Sequence, residues 1–159
     1  MLQPEPEGHA ARGAIPAGAT GLARRHERFA KVVALTPEAV RTAALALGDT
    51  NPVHHAADFA SATRYGRLIA SGAHTAALLF ALTASHFSTG GAVVGLGFSI
   101  RYRRPVYADE TIRLEWLVRN VTPNARLGGD IVELRGRITG GEGKTALAAS
   151  GRVLVTRRL

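Results

Sequence analysis

The sequence predicts an α+β fold in which an antiparallel sheet wraps a single long apolar helix. Residues 72–86 are apolar on every face: Ala73, Ala76, Ala77, Leu78, Leu79, Phe80, Ala81, Leu82 and Ala84 leave no polar side, and such a helix has to be surrounded. The chain beyond residue 90 reads as strands separated by Gly, Pro and Asn turns. Within one of them Ile112, Leu114, Trp116 and Val118 alternate with Arg113, Glu115 and Arg119, giving one dry face and one wet face.

Taken in order, Met1 to about Arg25 mixes Pro, Gly, Ala and Glu without apolar periodicity, so residues 1–26 are expected to be a flexible leader to one domain over 27–159. The leader lacks the basic start and hydrophobic stretch of a secretion signal, and a cytoplasmic location is the default expectation. Arg28 to Leu35 reads as a first strand. Thr36-Pro37-Glu38 then supplies a cap, a first-turn proline and an acid near the positive end of a helix dipole, and that helix should stop at Gly48. A short helical turn is expected over Ala57 to Thr63, after which Ser71-Gly72 opens the main helix, running to about His86. Further strands are expected at Ala92 to Tyr102, Thr111 to Val121, Gly129 to Thr139 and Lys144 to Arg157.

The chemistry concentrates in Gly48-Asp49-Thr50-Asn51-Pro52-Val53-His54. Pro52 has no N–H and disfavours helical torsions at Asn51, so Asp49 and His54 should share an ordered loop, which Asn51 can pin through its own neighbouring backbone. Histidine titrates near neutrality, and a carboxylate beside it can fix its tautomer or share proton transfer, which suits moving the hydrogens of a water molecule. Ordinary turn chemistry explains the same residues more blandly. At the main helix entrance, free N–H groups around Ser71, Gly72 and Ala73 can meet negative charge building on a carbonyl oxygen; the bland alternative is that Ser71 caps the helix and Gly72 relieves crowding. His74 lies just inside that entrance, with helix packing the simpler role. His55 reads as an exposed neighbour, and His86 suits the negative end of the helix dipole.

Composition narrows the classes further. The 159 residues contain no cysteine, which excludes disulfides, thiolate metal sites and cysteine nucleophiles, and the histidines make no convincing metal set. The longest apolar run, Ala76 to Leu82, is far short of the roughly 18 residues a membrane span requires. A formal charge of +8 invites a nucleic-acid reading, yet the arginines are scattered along strands with no recognition helix or aromatic interleaving. An anionic carrier of the substrate accounts for the charge more simply, by steering.

Gly-Asp-x-Asn-Pro-x-His resembles the hydratase motif of the MaoC-like, (R)-specific enoyl-thioester hydratases. Ile69-Ala-Ser-Gly-Ala-His74 resembles that family's segment entering its central helix, and Ile100-Arg-Tyr-Arg-Arg-Pro-Val-Tyr-Ala-Asp109 resembles the family's next strand and turn, the likeness running from about Glu27 to the C-terminus. The resemblance implies a hot-dog fold. It also implies Asp49 and His54 as the catalytic pair, the Gly72 N–H as the group holding a thioester carbonyl, and Asn51, Ser71, Ala73 and His74 as neighbouring substrate contacts. Two departures stand out: Ala56 replaces the acidic residue often found two positions after the histidine, and Ala108 replaces the usual glycine before Asp109.

The expected reaction is reversible hydration of a trans-2-enoyl thioester to a 3-hydroxyacyl thioester, with no metal or redox cofactor. The expected carrier is coenzyme A or an acyl carrier protein. A homodimer is expected, since a sheet of this type has an open edge and an unshielded groove. Thioester hydrolysis and passive thioester binding are the rivals, because the fold alone does not choose the reaction.

Overall fold

In the computed structural model, which describes residues 19–157, alternation of side chains sets the layers. Strand β3 (Thr111–Asn124) buries Ile112, Leu114, Trp116 and Val118 completely or nearly so and turns Arg113 and Arg119 to solvent, as the pattern requires. It pairs antiparallel with β1 (Arg28–Ala34) and β4 (Gly129–Thr139); β5 (Thr145–Thr156) and β2 (Ala92–Tyr102) complete an antiparallel sheet in the order β1-β3-β4-β5-β2.

The helix α3 (Gly72–Phe87) lies on the dry face. Trp116 ties the two layers, its indole N–H donating to the Leu79 carbonyl at 2.8 Å, and Phe80 stacks on Phe98 of β2 at 4.3 Å. Room for these rings comes from glycine. A Cβ at Gly136 would lie 2.5 Å from the Trp116 ring, and one at Gly151 would lie 2.5 Å from Phe98. The helix is not enclosed all round, however. Ala73, Ala77, Ala81 and Ala84 are exposed, because one sheet of five strands covers only the side facing it. Among the described residues no helix is long and apolar enough to cross a membrane.

Helix α1 (Pro37–Ala46) begins as expected, with the Thr36 hydroxyl accepting from the Ala39 N–H at 3.1 Å, and it stops two residues short of Gly48, whose φ of 70° breaks the helix. The loop beyond is not wholly irregular: Pro52–His54 forms a 3-10 turn, with proline at its start where a missing N–H does no harm. Helix α2 (Ala57–Ser61) comes next.

Residues 1–18 of the expected leader lie outside the described residues. Residues 19–26 pack on the sheet. The Thr20 N–H and hydroxyl both donate to the fully buried Asp130 carboxylate, at 2.9 and 2.6 Å, and Ala23 is buried.

Candidate active site

Three chain segments meet at the entrance of α3. The first is the loop 49–55, braced by its own side chains: the Asn51 N–H donates to Asp49 Oδ1 at 3.1 Å, and Asn51 Oδ1 accepts from the Val53 N–H at 3.3 Å. The second is 68–71, held from both sides, since the Ile69 N–H donates to the Val53 carbonyl at 3.4 Å while the Ala70 N–H donates to the Val106 carbonyl at 2.7 Å. The third is the turn around 102–108, which returns a bond from the Ala108 N–H to the Leu68 carbonyl at 3.1 Å.

This bracing determines how His54 can act. Its ring is buried, and Nδ1 lies 2.8 Å from the Ile69 carbonyl. A carbonyl only accepts, so Nδ1 carries the hydrogen and the neutral ring leaves Nε2 with a lone pair. Nε2 faces Asp49 Oδ2 at 3.5 Å. The Asp49 carboxyl is held below its ordinary value, chiefly by the Ser71 hydroxyl and then by the Asn51 N–H; partial burial pushes the other way, and the His54 and His55 rings add to the lowering. Two acceptors therefore face each other across a gap. One water molecule donating a hydrogen to each satisfies both.

A pocket of about 300 Å³ opens beside the ring. His54, Ile69, Ala70, Gly72, Thr75, Val106 and Leu147 line it, with exposed Arg64, Tyr102, Arg103 and Arg104 around its rim. Thr75 is the first residue of α3 whose N–H reaches back along the helix, to the Ser71 carbonyl at 3.1 Å, so the N–H groups of Gly72, Ala73 and His74 lie ahead of the helical ladder. A wider depression of about 830 Å³ lies over the outward face of β2, β4 and β5, among Arg101, Arg119, Arg135 and Arg152, away from His54.

Among the residues singled out from sequence, His54 and Gly72 line this pocket, while Asp49 faces the His54 ring without being part of the lining. Ser71 makes no side-chain cap on α3; its hydroxyl acts to lower the Asp49 carboxyl. Asn51 braces the loop, Ala73 is exposed, and His74 is partly buried with Nδ1 unpartnered among the described residues, its imidazole held below the usual histidine value by burial. Leu79, Phe80 and Thr83 of the helix pack in or against the core and do not line this pocket; Thr75 does.

His86 binds Glu27 at 2.9 Å and stacks on Phe29, rather than serving only the helix end. Sequence reasoning misses Tyr102, although it lies within the strand and turn segment 100–109. Its hydroxyl donates to the Gly72 carbonyl at 2.9 Å, and its ring leaves only 3.0 Å to a Cβ at position 72, so the glycine accommodates this ring. The Ile69 carbonyl escapes it too, because no side-chain type announces a main-chain acceptor.

The MaoC-like domain family matches residues 20–138, three-quarters of the chain. The chain belongs to the MaoC-like family. It is 32% identical over 79 residues to a 3-hydroxybutyryl-CoA dehydratase of Methylorubrum extorquens, a match spanning half of this chain and half of that protein. The (R)-hydratase from A. caviae involved in PHA biosynthesis superposes with a TM-score of 0.74 at 23% identity, covering 84% of this chain and 97% of the other. The MaoC-like dehydratase from Rhodospirillum rubrum gives a TM-score of 0.73 at 23% identity, covering 86% and 95%. The sheet and helix of this MaoC-like chain thus form the hot-dog fold.

Proposed function

We propose that the protein adds water reversibly across the α,β-double bond of an acyl thioester, giving a 3-hydroxyacyl thioester, with Asp49 and His54 as its catalytic pair. The observation that carries this reading is the lone pair of His54 Nε2 set 3.5 Å from the Asp49 carboxylate beside a pocket at the start of a helix. In the hydration direction, water donates one hydrogen to each group. Its oxygen bonds to the β-carbon as His54 Nε2 takes the proton, and the π electrons move toward the thioester carbonyl. The Gly72 N–H meets the charge developing on that oxygen. The proton then passes to the α-carbon, and the Asp49 carboxylate, kept ionised by Ser71 and Asn51, steadies the imidazolium in transit.

Membership in the MaoC-like family and the likeness to a named 3-hydroxybutyryl-CoA dehydratase support this reaction class. The exposed arginines at the pocket rim fit an anionic carrier, coenzyme A or an acyl carrier protein. The same reading includes a homodimer, since β2 is an edge strand with Val94, Leu96 and Tyr102 exposed next to the uncovered alanines of α3.

The test is incubation of purified protein with crotonyl-CoA and longer enoyl-CoA thioesters, with product identification. A 3-hydroxyacyl product that disappears in Asp49→Asn supports hydration. Free thiol indicates hydrolysis instead, and tight binding without turnover indicates a passive role.

A further inference from the structure

We infer that His55 is a positioning residue that holds the Asp49 carboxylate in register with His54, in a chain whose position 56 carries no acid to do so; the inference rests on the hydration reading. His55 Nε2 lies 2.5 Å from the Asp49 main-chain carbonyl. The carbonyl accepts, so Nε2 carries the hydrogen, the opposite tautomer to His54. His55 is itself tethered at its backbone, where the Arg41 Nε–H of α1 donates to the His55 carbonyl at 3.2 Å. One residue therefore closes the loop on itself from 55 back to 49 and fastens the closed loop to the preceding helix.

The rest of the loop needs that closure. Ala56 occupies the cap position of α2 and offers no side-chain hydrogen bond, so that position holds the loop exit through its main chain alone, the Ala56 N–H donating to the Pro52 carbonyl at 2.8 Å. The Asp49 N–H is satisfied by the Ala44 carbonyl at 2.9 Å, which fixes one side of the residue. The His55 bond fixes the other side, and the carboxylate between them can then keep its 3.5 Å separation from Nε2 of His54. Without it the Asp49 main-chain carbonyl loses this hold, leaving the Asn51 N–H on Oδ1 at 3.1 Å to position the carboxylate. The carboxylate then drifts by a fraction of an ångström to an ångström, a displacement that costs up to about 100-fold in rate in comparable sites.

Chain geometry suggests which substitutions separate this role from simple packing. Glutamine can place an amide N–H where Nε2 stands, whereas phenylalanine keeps the ring shape and loses the donor. With crotonyl-CoA, His55→Phe should lower kcat about 10- to 100-fold with KM within about twofold, and His55→Gln should recover most of that loss. A Phe variant with wild-type kcat overturns the inference, as does an equal loss in both variants.

The wild-type protein supplies an independent readout, long-range proton–nitrogen NMR correlation of the imidazoles. It should show Nε2–H at His55 and Nδ1–H at His54, and Nδ1–H at His55 overturns the assignment. If the wild type shows no hydratase activity, hydration is the reading that fails, and the tautomer measurement still decides the link from His55 to Asp49.

Discussion

Replacing His54 by asparagine separates what this side chain does for the fold from its proposed part in the reaction. The amide nitrogen of asparagine sits where Nδ1 of histidine sits, so the 2.8 Å bond to the Ile69 carbonyl survives, while nothing occupies the Nε2 position facing Asp49. Alanine removes both. A positioned acid or base contributes about 10²- to 10⁴-fold, so His54→Asn should lose that factor in kcat, roughly 3 to 5 kcal/mol of transition-state stabilisation.

Stability should track the other half of the ring. His54 is only 7% exposed, and alanine strips the buried Ile69 carbonyl of its donor, a loss of about 1 to 3 kcal/mol before any cavity is counted. Asparagine avoids that loss. It should therefore melt above the alanine variant by several degrees, at about 2 to 4 °C per kcal/mol for a chain of this size. Loss of enoyl-thioester absorbance measures the first effect, and calorimetry measures the second. An asparagine variant within threefold of wild-type activity, or one melting with the alanine variant, refutes the division of labour between the two ring nitrogens.

Three other substitutions have outcomes set by the geometry. Ser71→Ala removes the foremost cause of the depressed Asp49 carboxyl. A depressed carboxyl contributes stability above the ordinary carboxylate range and loses it as pH falls through the folded value, so the variant should be less stable at neutral pH, with the gap closing in acid; superimposable pH–stability curves count against this role of Ser71. Thr20→Val leaves the fully buried Asp130 carboxylate with the Thr20 N–H alone and should cost about 1 to 3 kcal/mol in a denaturant titration, whereas an unchanged midpoint means that the segment before β1 does not anchor there. Gly136→Ala drives a methyl to within 2.5 Å of Trp116 and should cost about 1 to 3 kcal/mol or more, with altered emission from the single tryptophan; native emission and stability would show that the ring is not packed on that strand.

The fold is legible in the sequence because its signals are periodic. The alternation in β3 fixes which face is dry whatever the partner, and a helix of uniform apolarity has nowhere to sit except on that face. Apolarity does not say how much of the helix its own chain covers, and here the chain leaves an alanine stripe open. The approach of Asp49 to His54 is legible because it is local: the two lie five positions apart, with Asn51 and Pro52 dictating the bend. Side-chain direction on a 3-10 turn is not written in composition. His55 therefore reads as an exposed neighbour, when its ring turns back to the Asp49 carbonyl.

What the local motif lacks is supplied from a distance, and this makes the tautomer of His54 a tertiary property. The Ile69 carbonyl can select Nδ1–H only while residues 68–70 are held between the loop at Val53 and the turn at Val106 to Ala108. Ser71 lowers the Asp49 carboxyl from the same segment, which runs straight into α3 and leaves the hydroxyl without a cap to make there. An isolated loop peptide with the identical Asp and His would have neither a preferred tautomer nor an ionised partner held at a set distance. The pair alone identifies where to look; the Ile69 carbonyl leaves the Nε2 lone pair facing a carboxylate.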